Sequence, residues 1–326
     1  MAFSRFCVRF SRHILNCEFH MEQSFTADAF SPDLIFNGLK GEIIDYVISS
    51  YSVNIKMIYL YYYRPQLQVH CDNIWNGTGH DHFIHIHKVP APGIYHAKFV
   101  LVTTTEMCRL IVMTANITET IAKNCLNDYY TITVPKCKLT CPTIFTTNFY
   151  QFLDAFDIKL KNGLLQYDWK GINANLLVSI PRGLSHAMCW RSLMNSNVRM
   201  KGEATIRTTT GMLGFNIKKV LRVQNCVFEY NKDWIKDLTQ ASEHPFGRYD
   251  FRHNRDQKTG KDKYELRAID SKPYHYKRYT VEYTRPKKRW LIITSANLSK
   301  QAWGSLKQPS VNAELGITWN SKFSFN

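Results

Sequence analysis

The sequence predicts an α/β protein made of two pseudo-symmetric halves, each a mixed sheet flanked by helices, that share one active-site cleft. Two observations carry this. A short polar motif recurs far apart in the chain, and each copy is followed by the same succession of apolar runs. The first copy is Tyr95-His96-Ala97-Lys98, followed by the run Phe99 to Val102, then Leu110 to Met113 leading into Thr114-Ala115-Asn116. The second is Tyr274-His275-Tyr276-Lys277, followed by Tyr279 to Tyr283, then Trp290 to Ile293 leading into Ser295-Ala296-Asn297. By subtraction of positions, His and Asn are twenty residues apart in one copy and twenty-two in the other. A single His-x-Lys is common by chance, whereas two with matched flanks are not.

Taken in order, the chain opens on Met1 to Asn16, where Arg5, Arg9 and Arg12 lie among Phe3, Phe6, Val8 and Phe10 and the first acid is Glu18. That composition suits a mitochondrial presequence, a basic tail or a first strand. Glu42 to Ser50 reads as a helix feeding a strand over Ile55 to Tyr62; Tyr61, Tyr62, Tyr63 and Trp75 suit core packing, with stacking on bases as the alternative. His80, His82, His85 and His87 cluster next. Alternation puts His85 and His87 on one strand face, and an exposed face is a better reading than a metal site, because no further ligand set accompanies them. Lys159-Leu160-Lys161-Asn162-Gly163 supplies a polar connection, so the halves are expected at residues 1–163 and 164–326. Asn175 to Ile180 reads as a strand ended by Pro181, and Leu184 to Met194 as a helix. Arg252 to Lys263 is charged and poor in apolar residues, as a flexible loop would be. Asn297-Leu298-Ser299 opens a last helix, which Asn or Ser can cap.

Composition narrows the function. The formal charge of +16 over 326 residues predicts salt-sensitive attraction to polyanions, nucleic acid first among them. No run approaches the roughly 18 apolar residues of a membrane span, and no membrane partner is expected. Nine scattered cysteines favour free thiols in a reducing compartment. Cys137 and Cys141 lack the second pair that a structural zinc needs.

In an extended segment, residues two apart point to one side. Each motif therefore puts an imidazole and an ammonium on a common face, with an Asn at the end of the neighbouring strand. Phosphodiester cleavage needs a nucleophile, a proton for the leaving oxygen and positive charge around the other oxygens. His96 and His275, Lys98 and Lys277, and Asn116 and Asn297 supply these groups without a carboxylate cluster. Neither a metal nor a cofactor is expected. By sequence alone, either histidine could be the nucleophile.

The paired motifs resemble those of the phospholipase D superfamily. They depart from its usual pattern, in which an Asp follows the Lys by five positions, since Thr103 and Glu282 stand there. That departure, with the block Thr294-Ser295-Ala296-Asn297-Leu298-Ser299-Lys300-Gln301-Ala302-Trp303-Gly304 and then Ala313-Glu314-Leu315-Gly316, is similar to the 3′-acting tyrosyl-DNA phosphodiesterase family. Ile172-Asn173-Ala174-Asn175-Leu176 through Ile180-Pro181, and Thr208-Thr209-Thr210-Gly211-Met212-Leu213-Gly214, resemble it more weakly. The resemblance implies two phospholipase D-like halves and hydrolysis of the bond between a DNA 3′ end and a topoisomerase I-derived peptide. His96 would attack phosphorus, and His275 would protonate the leaving tyrosine. Lys98, Lys277, Asn116 and Asn297 would hold oxygens, and Glu314 would orient a histidine. Thr209, Ser295 and Asn127 would assist substrate binding, although Asn127 replaces the family's usual Gln and Met212 replaces a serine. The implied partner is the 3′ end of single-stranded DNA or of nicked or blunt duplex. The implied enzyme is a monomer in the nucleus, with the mitochondrion as the alternative. A broader superfamily nuclease and a degenerate DNA-binding module are the competing readings.

Overall fold

The computed structural model describes residues 21–27, 30–75, 82–118, 127–138, 140–197, 203–210, 221–224, 227–230, 248–255, 262–270, 277–284, 287–297, 300–304 and 309–320. Over 203–270 and 281–288 it describes the backbone alone. The basic N-terminal segment, Met212 and His275 lie outside the described residues.

The first sheet contains β1 (Met21–Ala27), β2 (Ile43–Asn54), β3 (Leu67–Trp75), β4 (Ile84–Ile86), β5 (Phe99–Thr104), β6 (Met107–Met113) and β7 (Asn127–Pro135), in the order β1-β7-β6-β5-β2-β3-β4. The second runs β11-β10-β9-β14-β15-β16-β8. Its strands are β8 (Ala174–Ser179), β9 (Glu203–Thr210), β10 (Leu221–Gln224), β11 (Val227–Tyr230), β14 (Lys277–Thr284), β15 (Lys287–Thr294) and β16 (Glu314–Asn320). Off that path, β12 (Arg248–Arg255) pairs with β9 and with β13 (Asp262–Asp270). The segment 252–263, expected to be a loop, thus includes paired strand at both of its ends.

The region 42–62 reverses expectation. Ile43–Asn54 is a strand, and helix begins only after it: α2 (Ile55–Met57) continues as a π-turn over Ile58–Tyr62. The run Ile-Ile-Asp-Tyr-Val-Ile is rich in β-branched and aromatic residues, and β2 is central, lying between β3 and β5. A strand covered on both faces shows no polar alternation, and the continuous run reads as helix only when its neighbours are unknown. Asn54 then caps the turn by accepting from the Met57 N–H, which a strand interior would not allow. Of the tyrosines that follow, Tyr62 is buried. Tyr61 and Tyr63 are exposed, as is Trp75, which corrects their assignment to the core.

The remaining helices are α1 (Pro32–Phe36), α3 (Ile144–Ala155), α4 (His186–Asn197) and α5 (Lys300–Trp303). A capping box between Thr143 and Thr146 starts α3, and Phe145, Phe149, Phe152 and Leu153 form its buried face.

One apolar core spans both sheets. It joins Phe99, Leu101, Leu110 and Val112 of the first to Ile292, Leu315 and Ile317 of the second, with the α3 phenylalanines and Trp169 between them. A second cluster, with Ile48, Val69, Val100, Val102 and Ile58, covers the other face of the first sheet. The sheets are therefore held against each other by hydrophobic burial.

Candidate active site

The two sheets contain the same meander. In one, β5, β6 and β7 are antiparallel neighbours; in the other, β14, β15 and β16 are. Lys98 stands immediately before β5, and Lys277 is the first residue of β14. Thr114-Ala115-Asn116 leaves β6, and Ser295-Ala296-Asn297 leaves β15. The correspondence extends to single hydrogen bonds. The Thr114 N–H donates to the Asp128 carbonyl, and the Asp128 N–H returns to Thr114 Oγ1. The Ser295 N–H donates to the Leu315 carbonyl, and the Leu315 N–H returns to Ser295 Oγ. Asn127 is therefore the positional counterpart of Glu314.

His96 is fixed by the opposite half. Tyr95 and Ala313 form a parallel bridge, the His96 N–H donates to the Ala313 carbonyl at 2.8 Å, and the Ala313 N–H donates to the Ile94 carbonyl at 2.9 Å. The first motif is thereby an extended segment laid beside the start of β16, just ahead of β5. This backbone register brings His96 Nδ1 to 2.9 Å from Glu314 Oε2, 218 positions away in sequence. Ser295 Oγ donates to the same oxygen at 2.6 Å, and Asn312 Nδ2 donates to Oε1 at 3.1 Å.

These contacts set the charges. Burial pushes the Glu314 carboxyl up, but His96, Lys98 and the Ser295 hydroxyl outweigh it and hold it down to about 2. Burial pushes His96 down to about 4, against the pull of Glu314. Glu314 is thus an anion that can only accept, so His96 donates its Nδ1–H and is neutral near pH 7. The lone pair is left on Nε2.

Two ammonium groups accompany this pair. Lys98 is fully buried and donates to the His96 carbonyl at 2.9 Å; burial and the neighbouring Lys277 depress it well below the usual lysine range. Burial pushes Lys277 down to about 8, while Glu314 and Asp128 pull it up. Among the described residues, Lys277 Nζ, Asn116 Oδ1 and Asn297 Oδ1 are buried polar atoms with no hydrogen-bond partner. Buried groups of this kind are ordinarily satisfied. These three stand at matched ends of the two meanders and are open to hydrogen bonds with a polar ligand.

Tyr51 of β2 was missed by sequence reasoning. Its ring lies 5.2 Å from the His96 ring, and Lys98 Nζ is 5.8 Å from its centroid. Tyr51 lies in β2 one residue past the stretch expected to be helix, and no motif marks it.

The remaining expected residues lie as follows. Ser295 is fully buried, and its hydroxyl donates to Glu314 and accepts from the Leu315 N–H, so it supports Glu314. Asn127 is also fully buried, with Thr114 Oγ1 at 3.5 Å, and is likewise interior. Thr209 pairs through its backbone register with Arg278. His85 is exposed, as expected, and His87 is half-buried. Both stack against buried His70, and His70 Nδ1 lies 2.7 Å from His87 Nε2. A direct nitrogen–nitrogen hydrogen bond requires that one ring keep its proton. Among the described residues, no group of three His, Cys, Asp or Glu side chains is placed to hold a metal ion.

Comparison with known proteins meets the same residues. The sequence model of the tyrosyl-DNA phosphodiesterase family matches residues 44–196 and 222–325, well over half the chain and both motifs.

The chain belongs to the tyrosyl-DNA phosphodiesterase family.

It is accordingly a DNA-repair phosphodiesterase of the phospholipase D superfamily. The fold agrees. The structure of yeast tyrosyl-DNA phosphodiesterase superposes with a TM-score of 0.61 at 11% identity, covering 92% of this chain and 90% of that one. A histidine-to-asparagine variant of the yeast enzyme superposes with a TM-score of 0.62 at 12% identity, covering 92% and 90%. At such identity the likeness speaks for the fold alone. Among curated protein sequences, none matches.

Proposed function

We propose that this phosphodiesterase hydrolyses the 3′-phosphotyrosyl bond between DNA and a topoisomerase I-derived peptide, with His96 as nucleophile. The observation that carries the assignment is the buried Glu314 carboxylate accepting from His96 Nδ1. It fixes the tautomer and aims Nε2 outward, as carboxylate partners do for attacking or proton-accepting imidazoles. The counterpart position in the first half holds Asn127, a neutral amide. The repeat thus supplies a carboxylate at only one of the two matched positions, and we assign proton transfer to His275.

In the first step, His96 Nε2 forms a bond to phosphorus, the bond to the tyrosyl oxygen breaks, and His275 gives that oxygen a proton. In the second, His275 takes a proton from water, the water oxygen bonds to phosphorus, and the phosphorus–nitrogen bond breaks. The products are tyrosine on its peptide and a DNA 3′-phosphate, with His96 and His275 restored. Lys98 and Lys277, with the Asn116 and Asn297 amides, balance charge on the equatorial oxygens. The net charge of +16 supports capture of DNA by its backbone, either as single strand or at nicks and blunt ends. We place the enzyme in the nucleus as a monomer, with the mitochondrion as alternative site; a fluorescent fusion decides between the compartments.

The test is an oligonucleotide bearing a 3′-phosphotyrosine, incubated with the protein in excess chelator. Release of tyrosine and a 3′-phosphate is expected. Cutting within unmodified DNA would favour a general nuclease instead. Replacing His275 with Ala should slow the second step by about 10²–10⁴ and leave protein covalently attached to DNA. A His275→Ala variant that turns over like wild type would overturn the assignment of roles.

A further inference from the structure

The ends of the two meanders are joined by an ion pair that no motif announces. Arg278, directly after Lys277, directs Nε and Nη2 at the two carboxylate oxygens of Asp128, with Nε to Oδ2 at 3.2 Å. Asp128 is fully buried, whereas Arg278 is partly exposed. Asp128 is also the residue whose backbone exchanges hydrogen bonds with Thr114, two positions before Asn116. A short chain therefore links Asn116, through Thr114, Asp128 and Arg278, to Lys277. Two parallel hydrogen bonds from a guanidinium fix orientation as well as distance. The paired residues belong to opposite halves, so the link also sets the spacing of their phosphate-holding groups.

We propose that the Asp128–Arg278 pair is a positioning device for Lys277: it ties β14 to β7 at the cleft and sets the electrostatic field in which the Lys277 ammonium meets the substrate phosphate. Arg278 is basic and stands beside the second motif, and its guanidinium faces a buried carboxylate. The proposal rests on the phosphodiesterase reading for the purpose of Lys277, but its physical content does not.

The charged groups facing Lys277 come from several elements. Glu314 on β16 and Asp128 on β7 favour its charged form. Lys98, ahead of β5, and His96 are coupled to it unfavourably when they carry charge. Arg278 is its neighbour on β14. Asp128→Asn removes an attraction, which disfavours the Lys277 ammonium. Arg278→Gln does the reverse, freeing the Asp128 charge to act on Lys277. The two variants break one ion pair yet push Lys277 in opposite directions. A merely structural bridge would give them the same sign.

The experiment follows Lys277 in the full-length protein by the pH dependence of its ¹³Cε resonance, with [ε-¹³C]lysine labelling and assignment by loss in Lys277→Arg. Asp128→Asn is expected to lower the titration midpoint by about one unit or more, the scale of a nearby opposite charge. Arg278→Gln is expected to raise it, and Arg278→Lys to stay near wild type. In turnover of the 3′-phosphotyrosyl oligonucleotide, the alkaline limb of kcat should follow the same three shifts, with KM changing less than kcat. Midpoints unmoved in both single variants, or moved the same way, overturn the proposal. If wild type releases no tyrosine, the functional reading fails, while the resonance titration still decides whether the pair sets the Lys277 field. Should one single variant fail to fold, the double variant Asp128→Asn/Arg278→Gln serves: the proposal requires its midpoint to lie above that of Asp128→Asn, or below that of Arg278→Gln, whichever single variant survives, and the opposite order overturns it.

Discussion

Replacing Glu314 with Gln removes one negative charge from beneath His96 with little change of shape. In the wild type that carboxylate accepts from His96 Nδ1, Ser295 Oγ and Asn312 Nδ2. An amide presents one acceptor oxygen and one donor nitrogen, so at least one of the three donors is opposed. A hydrogen bond to a charged group contributes about 1.5–3 kcal/mol, and each 1.36 kcal/mol is tenfold in rate. Turnover should therefore fall roughly 10- to 150-fold, in kcat and not in KM, because Glu314 supports the nucleophile without meeting substrate. The pH profile carries a second signature. Glu314 raises both His96, which titrates at about 4, and Lys277, which titrates at about 8. Both groups should titrate lower without it, so the active window moves toward acid at each edge. Single-turnover rates on the 3′-phosphotyrosyl oligonucleotide, measured across the acid-to-alkaline range, read both effects. Turnover within about twofold of wild type, or a window left where it was, would refute the assignment of Glu314 as the group that orients and activates His96.

Two further outcomes follow from the packing. Burial depresses His70, His96 and His186 to about 2, 4 and 4, all below the ordinary value near 6.5. The unfolded chain then binds protons that the folded one refuses, so stability is full above about pH 6.5 and is lost as pH falls through the folded values. Three such groups give a slope of about 4 kcal/mol per pH unit around pH 5, against a typical total of about 5–15 kcal/mol; urea midpoints that stay constant between roughly pH 6 and 4.5 would contradict this. Gly93 packs so tightly on the Val311 backbone that a Cβ has no room. Gly93→Ala should push the Val311–Ala313 segment away, loosen the Tyr95–Ala313 bridge and cost about 1–3 kcal/mol. Thermal unfolding and His96-dependent turnover should fall together, and loss of neither would show that this close approach is not needed.

The repeat was legible from residues alone because its signal is local. His-x-Lys followed by two apolar runs and a small-x-Asn is a strand pair with polar ends wherever it occurs, and both copies became β5–β6 and β14–β15 as expected. The family followed from the same stretches, above all the block from Thr294 to Gly316. Residues 43–62 were read backwards because β2 is covered on both faces, and continuous burial erases the alternation by which a strand is recognised. The role of Asn54 as the cap that ends the strand is visible only once the turn is known. Trp75, Tyr61 and Tyr63 are exposed because they lie at a strand end or on the outward side of a short helical turn, and composition does not encode which side faces water.

By itself, the sequence determined the two-part α/β plan, the identity of the polar groups and the family. Tertiary structure alone decided which histidine the carboxylate supports, that Ser295 and Asn127 are interior, and that Arg278 faces Asp128. The physical reason is sequence separation. The Glu314–His96 contact crosses 218 positions and the Arg278–Asp128 pair 150. Such contacts depend on how two sheets pack on a shared core, a choice made by shape and burial that no local pattern records.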